Sequence, residues 1–233
     1  MANYVLVAGA WLGAWAWDDV VPHLHAAGHG AYPVTLSGLG ERKRQPAGQR
    51  THVQDVVDEV ERRGLSDVVL VGHSYSGIPV GQAAERIGDR LNHAVFVDSE
   101  VPSDGISFAD RWWQGRHAFE ETLAGDGGSW APLTLADCEG QGLTGEQSGR
   151  LVSGATPHPG ASLTEPAEMR RPVGELPATY VKCLLDGPEP SEYVAASVSS
   201  GGWEYAEMDT GHWPMFSAPD DLARILLRPA SRA

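Results

Sequence analysis

The stretch "VVLVGHSYSGIPVGQAAERIG" at residues 68–88 constrains this chain more than any other. Val68 to Val71 form an unbroken apolar run, the pattern of a strand buried on both faces. Ile78, Val80, Ala83, Ala84 and Ile87 then recur at the spacing of one helix face. Only a tight turn separates the two, with Ser74 at its tip. A strand that feeds a helix this sharply is one unit of a strand–helix alternation, and it is the alternation that implies βαβ crossovers and a parallel sheet.

The rest of the chain repeats the alternation. Strand-like runs lie at Tyr4–Ala8, Ala31–Leu36, Ala94–Val97, Ala178–Leu185 and Trp203–Met208, and helix-like segments at 17–27, 51–63, 77–88, 190–199 and 219–227. The expected class is α/β, with a mostly parallel sheet of about six strands flanked by helices. In such sheets chemistry gathers beyond the carboxyl ends of the strands, where Ser74 falls. The alternation breaks from about Pro102 to Pro172, a stretch with aromatic residues of its own ("ADRWWQGRHAFEETLAG") and glycine-rich pieces. A segment of that length reads as a lid and not as a linker. The expected organisation is one domain, its core made of 1–101 and 173–233 and its lid of 102–172; 233 residues suffice for a well-buried core.

The formal net charge of −14 argues against a polyanionic partner, since nucleic acid is held by clustered Lys and Arg. The basic run "ERKR" at 41–44 reads as a solvated loop. Two cysteines, Cys138 and Cys183, make no disulfide framework and suggest thiols in a reducing compartment. The apolar N-terminus carries no positive leader region and looks like a strand followed by a glycine turn. A cytoplasmic protein with no membrane partner is expected.

A serine hydroxyl attacks carbonyls only when a base takes its proton and dipoles receive the oxyanion. A sharp strand-to-helix turn exposes the hydroxyl and aims backbone N–H groups at the reacting carbonyl. The residues two before and two after must be small, and here they are Gly72 and Ser76. Glycine is usual at the second position, so Ser76 departs from the G-x-S-x-G pattern. Pro79 sits in the first helical turn, where it costs little.

The partners of such a serine follow in the order acid, then histidine, at later strand ends. His212 in "MDTGHWPMFSAPDDLARIL" is the candidate base, and Asp186 in "ATYVKCLLDGPEP" the candidate acid, which would hold the imidazole tautomer and stabilise the imidazolium. Asp98 in "VFVDSEVP" also ends a strand and is the alternative acid. Asp209 reads as a strand-end residue. Backbone N–H groups of Tyr75 and of Ala10, in "VAGAWLGAW", are the expected oxyanion donors.

These segments resemble the α/β-hydrolase superfamily, in the branch that holds plant hydroxynitrile lyases, methyl salicylate and methyl jasmonate esterases, and related bacterial esterases. "VAGAWLGAWAWDDVVPHLHAAGH" resembles the branch's "HGAxxGAWxW…L…AGH", and "LSGLGER" its "TGxG" segment. "VFVDSEVPSDG" is similar to "YLxAxxPxDG", and "GHWPMFSAPDDLA" to the ending "DHMxMxSxPxxL". The resemblance implies an α/β-hydrolase fold of six core strands, with substrate between Ser74 and the lid. Trp11, Trp112, Trp113 and Trp213 then become candidate pocket walls, implying an apolar or aromatic substrate group. The family's His-Gly dipeptide is Ala8-Gly9 here. The lyases carry threonine at the position of Gly9 and lysine at that of Trp213, so ester hydrolysis is favoured over cyanohydrin cleavage.

His23, His25 and His29 in "HLHAAGH" invite a metal reading. Only His25 and His29 share a helix face at i, i+4, and no carboxylate completes a set, so no metal is expected. "GAWLG" and "GLG" do not make a dinucleotide turn. The expected function is a cofactor-free serine carboxylesterase acting on a small-molecule ester, with a second copy of the chain, as a homodimer, the only macromolecular partner entertained. Alternatives are a lactonase, a thioesterase or a C–C bond hydrolase or lyase with the same triad, and a non-catalytic small-molecule receptor.

Overall fold

The computed structural model describes residues 1–228. Along them run β1 (Asn3–Val7), α1 (Val21–Ala26), β2 (Gly30–Val34), α2 (Gln49–Arg62), β3 (Val68–His73), α3 (Gly77–Ile87) and β4 (Leu91–Val97). Then come α4 (Arg116–Gly125), β5 (Ser129–Trp130), α5 (Gly145–Gly154), β6 (His158–Pro159) and α6 (Gly160–Thr164). The chain continues with β7 (Ala178–Cys183), α7 (Glu192–Gly201), β8 (Glu204–Met208), α8 (Pro214–Ser217) and α9 (Pro219–Leu226). Six strands form one parallel sheet in the order β2-β1-β3-β4-β7-β8, while β5 and β6 pair antiparallel on their own.

Strand composition matches position in the sheet. All six residues of β3 are buried, as a strand covered on both faces requires. Pro33 sits in β2 and an alternating exposed–buried pattern marks β8, the two edges. Side-chain alternation splits the core in two. Val5, Val7, Val68 and Leu70 pack with Val53, Val56, Val57 and Val60 of α2 and Val80, Ala83 and Ala84 of α3. Tyr4, Leu6, Val69 and Val71 face the other way, onto Leu24 of α1 and Leu222, Ile225 and Leu226 of α9.

The chain leaves β1 toward β2 on one side and returns to β3 on the other. This reversal opens a crevice at the carboxyl ends of β1 and β3, where a doubly wound sheet binds its ligand. The segment between β4 and β7 reaches those ends from two directions. Thr156 N–H donates to the Trp11 carbonyl at 2.9 Å on one side. On the other, Gln141 accepts from His212 N–H at 2.6 Å.

Every strand and helix expected from the sequence has a counterpart, with ends moved by a few residues. The run expected through Leu185 ends at Cys183, because Leu184–Asp186 turn into a short 3₁₀ helix that presents Asp186. α1 stops at Ala26 and Gly28 takes φ +82°, so His25 and His29 do not share a helix face. His29 instead accepts from Ala2 N–H at 3.1 Å, and His23 pairs with Asp220 at 2.8 Å. Residues 229–233, the end of the range assigned to the core, lie outside the described residues. Among those described, no helix is long and apolar enough to cross a membrane. Cys138 and Cys183 are both free and buried.

Candidate active site

Ser74 takes φ +55°, a left-handed conformation that costs a non-glycine residue on the order of 1–2 kcal/mol and persists only where neighbours hold it. The turn is too tight for a side chain at Gly72, whose Cβ would lie 2.8 Å from the Ser76 carbonyl oxygen. Ser76 is accommodated differently. Its hydroxyl donates to the Ala8 carbonyl, tying the turn to the end of β1. The departure from glycine is therefore an extra anchor.

The Ser74 hydroxyl lies 2.8 Å from His212 Nε2, which the loop after β8 carries back over the sheet. His212 Nδ1 faces two carboxylates, Asp98 Oδ2 at 2.7 Å and Asp186 Oδ2 at 3.2 Å. With its proton on Nδ1, the imidazole leaves a lone pair on Nε2 to accept from the serine. Asp98 follows β4 and is buried, with φ +41°. Its other oxygen, Oδ1, accepts from the buried Lys182 ammonium at 2.6 Å and from Cys183 N–H at 3.2 Å. Asp186 is more open and is met by Gln141 Nε2 at 3.3 Å.

Burial alone would depress the His212 pKa. Hydrogen bonds to Asp186 and Asp98, with the field of both carboxylates, outweigh it and raise the pKa to about 9. Burial likewise opposes the charge on Asp186, but the His212 contact prevails and holds its pKa near 2. Asp98 is nearer to the imidazole, yet Lys182 already compensates part of its charge. Asp186 makes no ion pair with Lys or Arg among the described residues, feels Lys182 only through its field, and meets the imidazole at the longer distance.

A second imidazole ties the site together. His73 Nδ1 accepts from Gly9 N–H at 3.1 Å while its Nε2–H donates to the His212 carbonyl at 2.6 Å. Burial first, then the nearby His212, push its pKa down to about 3, so it stays neutral with this tautomer. Gly9 packs so closely that a Cβ there would lie 2.7 Å from Ser74 Cβ. Among the described residues, the Ala10 N–H beside it donates to no protein acceptor. Tyr75 N–H lies in the first turn of the helical segment that follows Ser74, where backbone donors lack intrahelical partners.

Ser74, His212 and Asp186 thus come together as the sequence reading expects, with the alternative acid Asp98 engaged on the same nitrogen. The four tryptophans do not line the cavity that opens on Ser74. That cavity, of about 280 Å³, is walled by Tyr75, Phe108 and Tyr180 among polar side chains that include Glu100, Lys182 and Glu189. Trp11 packs on Trp130 at 4.2 Å, and Trp112 on Phe119 at 4.8 Å, in a layer behind Phe108. Trp213 is buried edge-on against His212, and Trp113 is 79% exposed. Trp11 and Trp112 thus form, with Trp130, a partly buried cluster one layer back. Trp213 belongs to the core and Trp113 faces solvent, and the cavity wall itself is largely polar.

Three residues escaped sequence reasoning. Gln141 sits in a glycine-rich loop with no signal of its own. His73 is hidden inside the nucleophile motif. Lys182 was legible, being a charge in the otherwise apolar run "TYVKCLL", which demands a buried partner. Among the described residues Asp98, Asp186 and His212 are also the group best arranged to ligate a cation, with ligand atoms within 4.8 Å of one another. The Lys182 ammonium already supplies positive charge there.

A nucleophile elbow on a doubly wound sheet, with histidine and carboxylates at later strand ends, defines a class. The profile of the alpha/beta hydrolase family matches residues 4–225, and the chain belongs to that family. The carbendazim hydrolyzing esterase of Nocardioides sp. (strain SG-4G) is 30% identical, over 97% of this chain and 98% of its own length. Methylesterase 9 of Arabidopsis thaliana is 28% identical, over 100% and 99%. An extracellular alpha/beta-hydrolase from a Paenibacillus species, described as sharing structural and functional homology with tobacco salicylic acid binding protein 2, superposes with a TM-score of 0.86. It covers 98% of this chain and 99% of its own at 22% identity.

Proposed function

We propose that this chain is a serine carboxylic ester hydrolase acting on a small ester through an acyl-enzyme. The observation that carries the reading is the unbroken relay from Ser74 Oγ through His212 to two carboxylates. His212 Nε2 takes the Ser74 proton as the oxygen attacks the ester carbonyl. Ala10 and Tyr75 N–H groups receive the oxyanion. The imidazolium, held by Asp186 as catalytic acid and by Asp98 beside it, then protonates the departing alcohol. Water enters, His212 deprotonates it, and attack on the acyl carbon releases the acid and restores Ser74.

The names of the relatives support an ester as substrate. The volume of the cavity, at the lower end of ligand sites, supports a small one. Segment 102–172 serves as the lid, and the two free cysteines support a cytoplasmic location. Cyanohydrin cleavage is disfavoured by the space at Gly9, too small for a threonine side chain without displacing Ser74.

The test is a panel of short aryl and methyl esters, lactones and thioesters, assayed across pH. Short esters are expected to be turned over, with kcat/KM rising as pH increases toward about 9, because the base must be unprotonated on Nε2. Below that pKa, kcat/KM falls about tenfold per pH unit. A panel in which no ester is cleaved, or a rate that falls as pH rises from 6 to 8, contradicts the reading.

A further inference from the structure

The family's first-strand loop begins with His-Gly, and this chain has Ala8-Gly9. What supports the loop here comes from elsewhere in the fold. Leu12 N–H donates to the Gly9 carbonyl at 3.4 Å, closing a β-turn whose third residue, Trp11, takes φ +67°. A type II turn requires that conformation and normally gives the position to glycine. A tryptophan is kept there only if something outside the turn holds it.

Segment 156–158 of the lid does so from both sides. Thr156 N–H donates to the Trp11 carbonyl at 2.9 Å, and Trp11 N–H donates to His158 Nδ1 at 3.2 Å. His158 is wholly buried, and its other nitrogen lies 2.9 Å from Ser162 Oγ, which donates in turn to the Pro159 carbonyl at 2.7 Å. The serine proton is thereby committed, so His158 carries its own proton on Nε2 and keeps a lone pair on Nδ1. Consecutive N–H groups of the loop are thus apportioned. Gly9 gives to His73 and Trp11 gives to His158. The Ala10 N–H between them is left for the reacting oxygen.

We propose that His158 is a positioning residue of the oxyanion hole, reaching from the lid to hold the Trp11 turn so that Ala10 N–H points at the oxyanion. This rests on the reading of Ala10 as an oxyanion donor. The lid then does more than select substrate, because the oxyanion hole is incomplete until it is seated.

The test compares His158→Phe, which keeps volume and removes the acceptor, with His158→Asn, whose side-chain oxygen restores one near Nδ1. Each is assayed for ester turnover and for inhibition by an aryl trifluoromethyl ketone, which forms a tetrahedral adduct with the serine. His158→Phe is expected to lower kcat about 10²-fold with KM nearly unchanged, and to weaken the adduct by a similar factor. His158→Asn is expected to recover most of both. If His158→Phe does not fold, Ser162→Ala reads the same contact by freeing the tautomer, with about tenfold losses in kcat and adduct affinity expected. A folded His158→Phe with wild-type kcat and adduct affinity, or Ser162→Ala unchanged in both, overturns the proposal. A KM effect with kcat preserved also overturns it, since that is the signature of substrate packing. Wild-type protein that forms no adduct and cleaves no ester overturns this proposal and the esterase reading together.

Discussion

Ser74→Ala is expected to lower kcat for short aryl esters by at least ~10⁴-fold while leaving the thermal midpoint within a few degrees of wild type. Loss of the hydroxyl removes the attacking atom and one hydrogen bond to His212, with no cavity of consequence. Alanine inherits the φ of +55°, so the strain of the elbow is carried by both proteins and cancels in the comparison. Far-ultraviolet circular dichroism with steady-state kinetics separates the two effects. A variant that retains more than a few per cent of turnover would place the nucleophile elsewhere.

The second large effect concerns the two carboxylates on His212 Nδ1. Asp186→Asn and Asp98→Asn are each expected to cost on the order of 10–10²-fold in kcat, because the remaining carboxylate still fixes the tautomer. The double variant is expected to cost about 10⁴-fold, as in triads whose only acid is lost. The single variants differ in stability. Asp98 is the counterion of buried Lys182, so Asp98→Asn leaves an uncompensated charge and destabilises the fold by about 3–5 kcal/mol. Lys182→Met in the same chain removes that penalty and isolates the kinetic effect. Asp186 has no such partner, and Asp186→Asn is expected to melt close to wild type. Either substitution removes a group that raises the His212 pKa, so the rising limb of kcat/KM shifts to lower pH. A single substitution as damaging as the double, in a folded protein, would assign the whole role to one acid.

The sheet was legible in the sequence because parallel strands buried on both faces leave continuous apolar runs, as Val68–Val71 does. Ser74 was legible because it follows such a run directly, and His212 because it lies in the glycine-containing loop between the last strand and the final helix. The acid was not decided by the sequence, and for a physical reason. β4 and β7 are neighbours in the sheet, both are followed by an aspartate, and their ends converge on one nitrogen. Order along the chain carries no information about that convergence. Segment 102–172 was opaque for the opposite reason. Its short helices and two-residue strands have little periodicity, so nothing in "RWWQ" says that Trp112 turns inward onto Phe119 and Trp113 outward. His158 and Gln141 reach distant loops through one or two isolated hydrogen bonds each, contacts that leave no pattern in sequence.

The central claim is that Ser74 is activated by the residues gathered around it. The direct measurement is intact-protein mass spectrometry after treatment with a fluorophosphonate, followed by peptide mapping of the adduct. One adduct per chain on Ser74 is expected, absent from Ser74→Ala and formed far more slowly in His212→Ala. No adduct on the folded protein, or an adduct on a different serine such as Ser99, would contradict the account.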